Sequence, residues 1–202
     1  MYSLSELLTH INQHDKIIIE LGCGPVKTPG NIGIDKVPLH EVDYIADLEE
    51  GLPFLPDRCV DEYIAFHSLE HIENLELLLR DIHRTLKPQG ILKVTAPHFS
   101  NPYYYSDYTH KKFFGLYTFD YFSVKDSGYK RKVPDYYTSF HFEVVERKFV
   151  FKSPFYFRNL IKQVLNRLIN SCKYIQELYE ENLCFLIPTQ EIRFIVKPDL
   201  AE

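Results

Sequence analysis

The 202-residue sequence predicts a single α/β domain built on a doubly wound, mostly parallel sheet. Three observations predict it. Short, continuous apolar runs of the kind buried on both faces of a parallel sheet alternate with a segment of helical periodicity. A Gly-x-Gly turn, Gly22-Cys23-Gly24, directly follows the first run, and an acidic residue, Asp35, closes the second.

The elements follow in chain order. Ser3 and Glu6 make an S-x-x-E capping box ahead of Leu7, Leu8 and Ile11, so a first helix runs to about His14. Lys16–Leu21 reads as the first strand, followed by Ile32–Asp35, Val42–Leu48, Val60–Phe66 and Ile91–Ala96. A helix over Asn74–Leu86 gathers Leu75, Leu78, Leu79 and Ile82 on one face, and Pro88 and Gly90 are read as its stop. Only six residues, Pro25 to Gly30, separate Gly24 from Asn31. That is too short for the usual crossover helix, and Pro25 and Pro29 favour an extended return instead.

Of the 30 Phe and Tyr residues, 16 fall between Phe99 and Phe142. Linkers are poor in aromatics, so residues 99–141 are expected to form a packed cap over the carboxyl edge of the sheet. A strand over Phe142–Lys152, a long helix over residues 155–183 and a last strand over Glu191–Val196 complete the domain, 1–202. The long helix carries Arg158, Lys162, Arg167 and Lys173. Covering the sheet is its first expected role, and an interfacial or homodimer contact the second.

Composition narrows the function classes. The chain is 45% hydrophobic and 25% charged, as ordinary globular proteins are. A net charge of -5 argues against charge-driven binding to nucleic acid, and the dense basic sites are limited to Lys111–Lys112 and Lys130–Lys132. The N-terminus lacks the pattern of a signal peptide, and no apolar run suits a membrane span. Cys23, Cys59, Cys172 and Cys184 are scattered, which points to reduced, buried thiols, a cytoplasmic setting and no metal site.

The candidate site centres on Glu20-Leu-Gly-Cys-Gly24. Glycines there let the backbone approach a ligand closely, and an acid ending the next strand suits a ribose diol. Here the sequence resembles the class I S-adenosylmethionine-dependent methyltransferases, and with them a Rossmann-like fold. Glu20, Gly22, Cys23 and Gly24 look like their first motif, Asp35 like their ribose-binding acid, and Asp47-Leu48 like the pair that frames adenine. Phe66-His-Ser-Leu-Glu-His-Ile72 resembles the segment along the cofactor, which implies contacts from His67 and Ser68. His83-Arg-Thr-Leu-Lys-Pro-Gln-Gly90 is similar to their helix-ending signature. The resemblance covers roughly residues 15–125 and implies S-adenosylmethionine as cofactor. The shortened crossover and Pro97-His-Phe-Ser…Asp107-Tyr-Thr-His-Lys-Lys-Phe-Phe114 are similar to a subset associated with glycan and polysaccharide biosynthesis. Tyr108 and Lys112 replace that pattern's proline and arginine.

Methyl transfer to oxygen needs alignment of the acceptor and usually a base. His110, in the cap, is the first expected base, with Asp107 to orient it. His98 follows the fifth strand, where ligands of such sheets lie, and is the further catalytic expectation. The expected acceptor is a sugar or another small polar molecule. Two alternatives stand beside this reading. His67-x-x-Glu70-His71 spells the H-x-x-E-H zinc signature of a metallohydrolase. A catalytically inactive cofactor-binding module is the other.

Overall fold

The computed structural model describes residues 1–200. It forms one seven-stranded sheet in the order β3-β2-β1-β4-β5-β7-β6. The strands are β1 (Ile18–Leu21), β2 (Ile32–Asp35), β3 (Tyr44–Ile45), β4 (Val60–Phe66), β5 (Leu86–Pro97), β6 (His141–Val150) and β7 (Glu191–Asp199). Strands β1 to β5 pair in parallel, while β7 runs antiparallel between β5 and β6. The helices are α1 (Leu4–Gln13), α2 (Leu75–Thr85), α3 (Tyr156–Ile169) and α4 (Lys173–Asn182).

Local chemistry explains the boundaries. Ser3 and Glu6 form the reciprocal capping box of α1, which buries Leu7 and Ile11. The central strands bury Ile19, Leu21, Ile34, Tyr63 and Ala65 in the main core, against Leu78, Leu79 and Ile82 of α2. The return from β1 to β2 contains no helix. It is braced from within, because the Glu20 carboxylate accepts from Thr28 N at 3.0 Å and Asn31 Nδ2 at 2.6 Å. Lys27 Nζ, 2.6 Å from Asp43, ties the same loop to the approach to β3.

Three expectations need correction. The third strand is only Tyr44–Ile45, because Asp47 caps a short 3-10 turn, Leu48–Glu50, and ends the extended run early. Helix α2 stops at Thr85, before Pro88 and Gly90, which lie in an outward excursion of β5. Val60 pairs with Leu86 and Glu62 with Ile91, so the intervening four residues bulge from the ladder. The long helix over 155–183 is two helices, broken at Asn170-Ser171-Cys172. At the end of α3 the Asn170 side chain is bound to strand β6: Phe149 N donates to its Oδ1 at 2.9 Å and its Nδ2 donates to Phe149 O at 2.8 Å.

Asn166, one turn earlier, repeats that pair on Phe151, with 2.8 Å in each direction. Two amides thus satisfy the outer edge of β6, which would otherwise offer unpaired backbone groups. Residues 99–140 form the aromatic cap, with 3-10 helices at Pro102–Ser106 and Thr118–Phe122. Phe114, Leu116 and Phe119 are buried beneath it, and Asp120 forms a buried two-pronged ion pair with Arg147 of β6.

Candidate active site

The carboxyl ends of β1, β2 and β4 and the turn after β3 open into a cleft of about 540 Å³. Gly22, Asp35, Asp47, Leu48, His67 and Ser68 line it, together with Glu49, His71, Ile72 and the cap residues Tyr108, Thr109 and Lys111. Six sequence-predicted cofactor residues therefore meet in one cavity. Its size falls within the range that holds small-molecule ligands.

Gly22 has φ +64°, and a Cβ built on it would lie 2.6 Å from Ser68 Cβ. The β1 and β4 turns therefore abut, and only glycine fits between them. Asp35 accepts Gly24 N on Oδ2 and Val37 N on Oδ1, both at 2.9 Å, which orients its carboxylate at the rim. Asp47 accepts Glu49 N at 3.0 Å and so fixes the turn that carries Leu48. Glu20 and Cys23 line a separate cavity behind the turn, and Gly24 lines neither. Their place is to shape the turn, with Glu20 bracing the return loop. Burial, then Asp35 and Glu20, push the Cys23 thiol up to about 11.

Glu49 joins three segments. Its carboxylate accepts from Glu73 N at 2.9 Å and Asn74 N at 2.8 Å, just ahead of α2, and meets Lys111 Nζ at 2.7 Å. Burial alone would raise its pKa, but those three donors outweigh burial and hold it at about 2. Nothing in the local pattern marks Glu49. The partner residues lie 24 and 62 positions away.

His67 has φ +51° at the end of β4. Its Nε2 lies 3.3 Å from Glu191 Oε1 and its Nδ1 3.4 Å from Glu70 Oε1. Hydrogen bonds to Glu191 and then Glu70 raise its pKa to about 9, so the ring is an imidazolium at neutral pH. Residues 69–71 form a 3-10 turn and not an α-helix, so the H-x-x-E-H spacing does not set both histidines on one helical face. The zinc-hydrolase alternative loses its geometry here. Glu70, His71 and His110 do bring ligand atoms within 4.8 Å of one another, a wider set than the roughly 3.4 Å edges of a tetrahedral zinc site.

The cap adds a second wall to the cleft. Lys111 N and Lys112 N both donate to Glu70 O, at 2.7 and 3.0 Å. Thr109 Oγ1 donates to Asp107 Oδ1 at 2.6 Å and stands 2.9 Å from His71 Nδ1. Its single proton goes to the carboxylate, so His71 Nδ1 must donate, which leaves the lone pair on His71 Nε2. Hydrogen bonds from the Thr109 hydroxyl and amide lower the Asp107 pKa and keep it ionised.

His110 lies behind His71. It donates from Nδ1 to Tyr104 O at 2.8 Å, its ring is 4.8 Å from that of His71, and its Nε2 is 3.6 Å from Asp107 Oδ2. It does not line the cleft. His98 is fully buried between Ser100 Oγ at 2.8 Å and Glu180 Oε2 at 3.0 Å, away from the cleft. Sequence reasoning gave no site role to Thr109 or Lys111, and placed His71 in the segment along the cofactor and in the alternative zinc motif without a role as base. The Asp107-x-Thr109 spacing, a common side-chain turn, was the available signal.

The comparisons bear on this geometry. A family profile described as a methyltransferase domain matches residues 30–94. No curated protein matches the chain. Among solved structures, an S-adenosylmethionine-dependent methyltransferase from Archaeoglobus fulgidus superposes with a TM-score of 0.51 at 18% identity, covering 96% of this chain and 94% of that one. The YcgJ protein of Bacillus subtilis gives 0.51 at 13%, with 97% and 98% covered, and the MccD protein 0.51 at 13%, with 97% and 96%. The fold is the Rossmann-like methyltransferase fold. Profile and fold together support S-adenosylmethionine as the cofactor.

The residues present fit that group. Gly22 leaves a cradle that a Cβ would fill, Asp35 offers a rim carboxylate to a diol, and Leu48 and Ile72 give apolar walls.

Proposed function

We propose that this chain is an S-adenosylmethionine-dependent methyltransferase that acts as one domain in the cytoplasm and O-methylates a sugar or another small polar acceptor. The observation that carries the reading is the meeting of Gly22, Asp35 and Asp47 with His71 and Thr109 in one cleft. Gly22, Asp35, Asp47, Leu48, His67 and Ser68 would hold the cofactor, with Glu20, Cys23 and Gly24 shaping the turn beneath it. When bound, S-adenosylmethionine supplies a methyl group already activated on a sulfonium, so the protein's task is alignment and proton removal.

The geometry favours His71 as the proton acceptor, in place of the His110 expected from sequence. Its Nε2 carries the lone pair, and Asp107 through Thr109 fixes the tautomer, as the carboxylate does in other histidine bases. His110 supports the ring from behind, and His98 holds α4 to the cap through Glu180. A hydroxyl between His71 and Tyr108 would face the cofactor side of the cleft. Tyr108, 98% exposed at the lip, is free to stack on a sugar ring.

Calorimetric titration with S-adenosylmethionine and S-adenosylhomocysteine, followed by an acceptor screen with labelled methyl donor, tests the reading. One molecule bound per chain and label transferred to a saccharide support it. Binding without transfer to any acceptor would support an inactive cofactor-binding module.

A further inference from the structure

Helix α3 is turned inside out. Its protein-facing side carries Asn159, Lys162, Leu165, Asn166 and Ile169, of which Ile169 is buried and Leu165 half-buried against the core. Asn159 Oδ1 accepts from Ser153 N at 3.2 Å, and Asn166 and the following Asn170 grip the backbone of β6 and the residue just beyond it. The outer arc carries Tyr156, Phe157, Leu160, Ile161, Val164 and Leu168, all exposed, with Phe157 at 79% and Ile161 at 65%. A surface helix normally buries its apolar stripe and wets its polar one. Here amide hydrogen bonds hold the polar stripe to the sheet, and the apolar stripe faces out. Phe185 and Leu186 extend the exposed surface, close by where Lys162 Nζ reaches Pro188 O.

Charge identifies the partner. From Arg147 to Gln176 the chain has seven Lys and Arg and no Asp or Glu, in a protein whose net charge is -5. Arg147, Lys148 and Lys152 meet Asp120, Glu146 and Glu191. Lys162 and Lys173 donate to the Pro188 and Ser127 carbonyls, whereas Arg158 and Arg167 have no carboxylate partner among the described residues. An apolar face beside unneutralised cations complements an anionic bilayer, where the rings and aliphatic chains enter the interface and the cations meet phosphates. A second copy would bring the same cations face to face across a two-fold axis. No helix among the described residues is long and apolar enough to cross a membrane, so the contact is peripheral.

We propose that the outer face of α3, with Phe185 and Leu186, docks this protein on an anionic phospholipid surface. This surface does not depend on the methyltransferase reading, since it lies outside the cleft. Docking would set the protein where the acceptor is attached to, or made at, a membrane.

Flotation of the full chain with vesicles tests it, using phosphatidylcholine alone and phosphatidylcholine mixed with phosphatidylglycerol. The wild type should float with the anionic vesicles at low salt and much less at high salt, where charge attraction is screened. Phe157→Glu with Ile161→Glu should weaken binding more than about a hundredfold, through lost apolar burial and added repulsion. Arg158→Gln and Arg167→Gln should each cost about fivefold on anionic vesicles. These side chains are exposed, so circular dichroism and S-adenosylhomocysteine affinity should stay at wild-type values. A wild type that stays unbound on anionic vesicles overturns the proposal, as does equal binding to both vesicle types. A stable dimer by light scattering that the Phe157→Glu, Ile161→Glu variant abolishes, without vesicle binding, would give the face to a second copy instead.

Discussion

Lys111 Nζ lies 2.7 Å from Glu49 Oε1, and this one ion pair latches the aromatic cap to the wall of the cleft. The same carboxylate receives Glu73 N and Asn74 N, so cap, cleft turn and the entry to α2 share a single anchor.

The depressed pKa of Glu49, about 2, turns that anchor into a pH dependence. A carboxylate whose folded pKa lies below its unfolded value contributes stability above the unfolded value, and loses it as pH falls toward 2. Glu49→Gln should cost about 1–2 kcal/mol at pH 7, after allowance for solvent screening. Urea midpoints measured from pH 7 down to 2 should converge for wild type and variant at the acid end. A constant gap at all pH values would mean that the carboxylate charge is not what stabilises the junction.

The Asp107–Thr109–His71 series predicts a split between turnover and binding. His71→Ala should lower kcat by about 10²–10⁴, the range for loss of a general base, with S-adenosylhomocysteine affinity changed only slightly. Thr109→Val keeps the shape but frees the His71 tautomer, and about a tenfold loss of kcat is expected. Single-turnover kinetics with a confirmed acceptor provide the check. A larger loss in His110→Ala than in His71→Ala would return the base to His110.

In the proposed reading Gly22 and Asp35 hold the cofactor. Gly22→Ala forces a Cβ to within 2.6 Å of Ser68 Cβ on a backbone with φ +64°, so cofactor affinity and melting temperature should fall together. Asp35→Ala should weaken binding through the lost carboxylate while also freeing Gly24 N and Val37 N. Calorimetry that finds unchanged affinity in Asp35→Ala would remove Asp35 from the cofactor site.

His67 gives the alkaline counterpart. Its pKa is raised to about 9 by Glu191 and Glu70, so its ionic contribution is complete below about 6.5 and disappears as pH rises through 9. His67→Asn keeps a residue that tolerates φ +51° while deleting the charge. The variant should lose about 1–2 kcal/mol at pH 6, with the ring's partial exposure allowed for, and much less at pH 10. Proton NMR of the wild type should show one imidazole titrating near 9, and Glu191→Gln should move it down.

The part of the cleft proposed to hold the cofactor was legible because it sits in contiguous segments. Strands Ile32–Asp35 and Val60–Phe66 stand where the apolar runs put them, and Gly22, Asp35, Asp47, Leu48, His67 and Ser68 reach one cleft from strand ends. The acceptor half depends on the cap folding back over β4, and the His71–Thr109 contact spans 38 residues. Periodicity carries no record of such a pairing. It also hid the break between α3 and α4 at Asn170-Ser171-Cys172, since the apolar spacing continues across it from Ile169 to Cys172 and Ile175. The reversal of α3 was hidden for a related reason: periodicity locates an apolar stripe but does not say which way it faces.

The short return between β1 and β2 also limits which backbone donors the cleft can offer a ligand. A dinucleotide's pyrophosphate is held by free backbone N–H groups at a helix start. Here Gly22 N and Cys23 N are given to Ile34 O, Gly24 N to Asp35 and Thr28 N to Glu20. These amides are committed within the protein, and Asp35, Asp47 and Glu49 line the cavity together with Lys36, Lys111 and His67. The loop thereby leaves a ligand to be held by the side chains of the cleft, and not by the amides of Gly22, Cys23, Gly24 or Thr28.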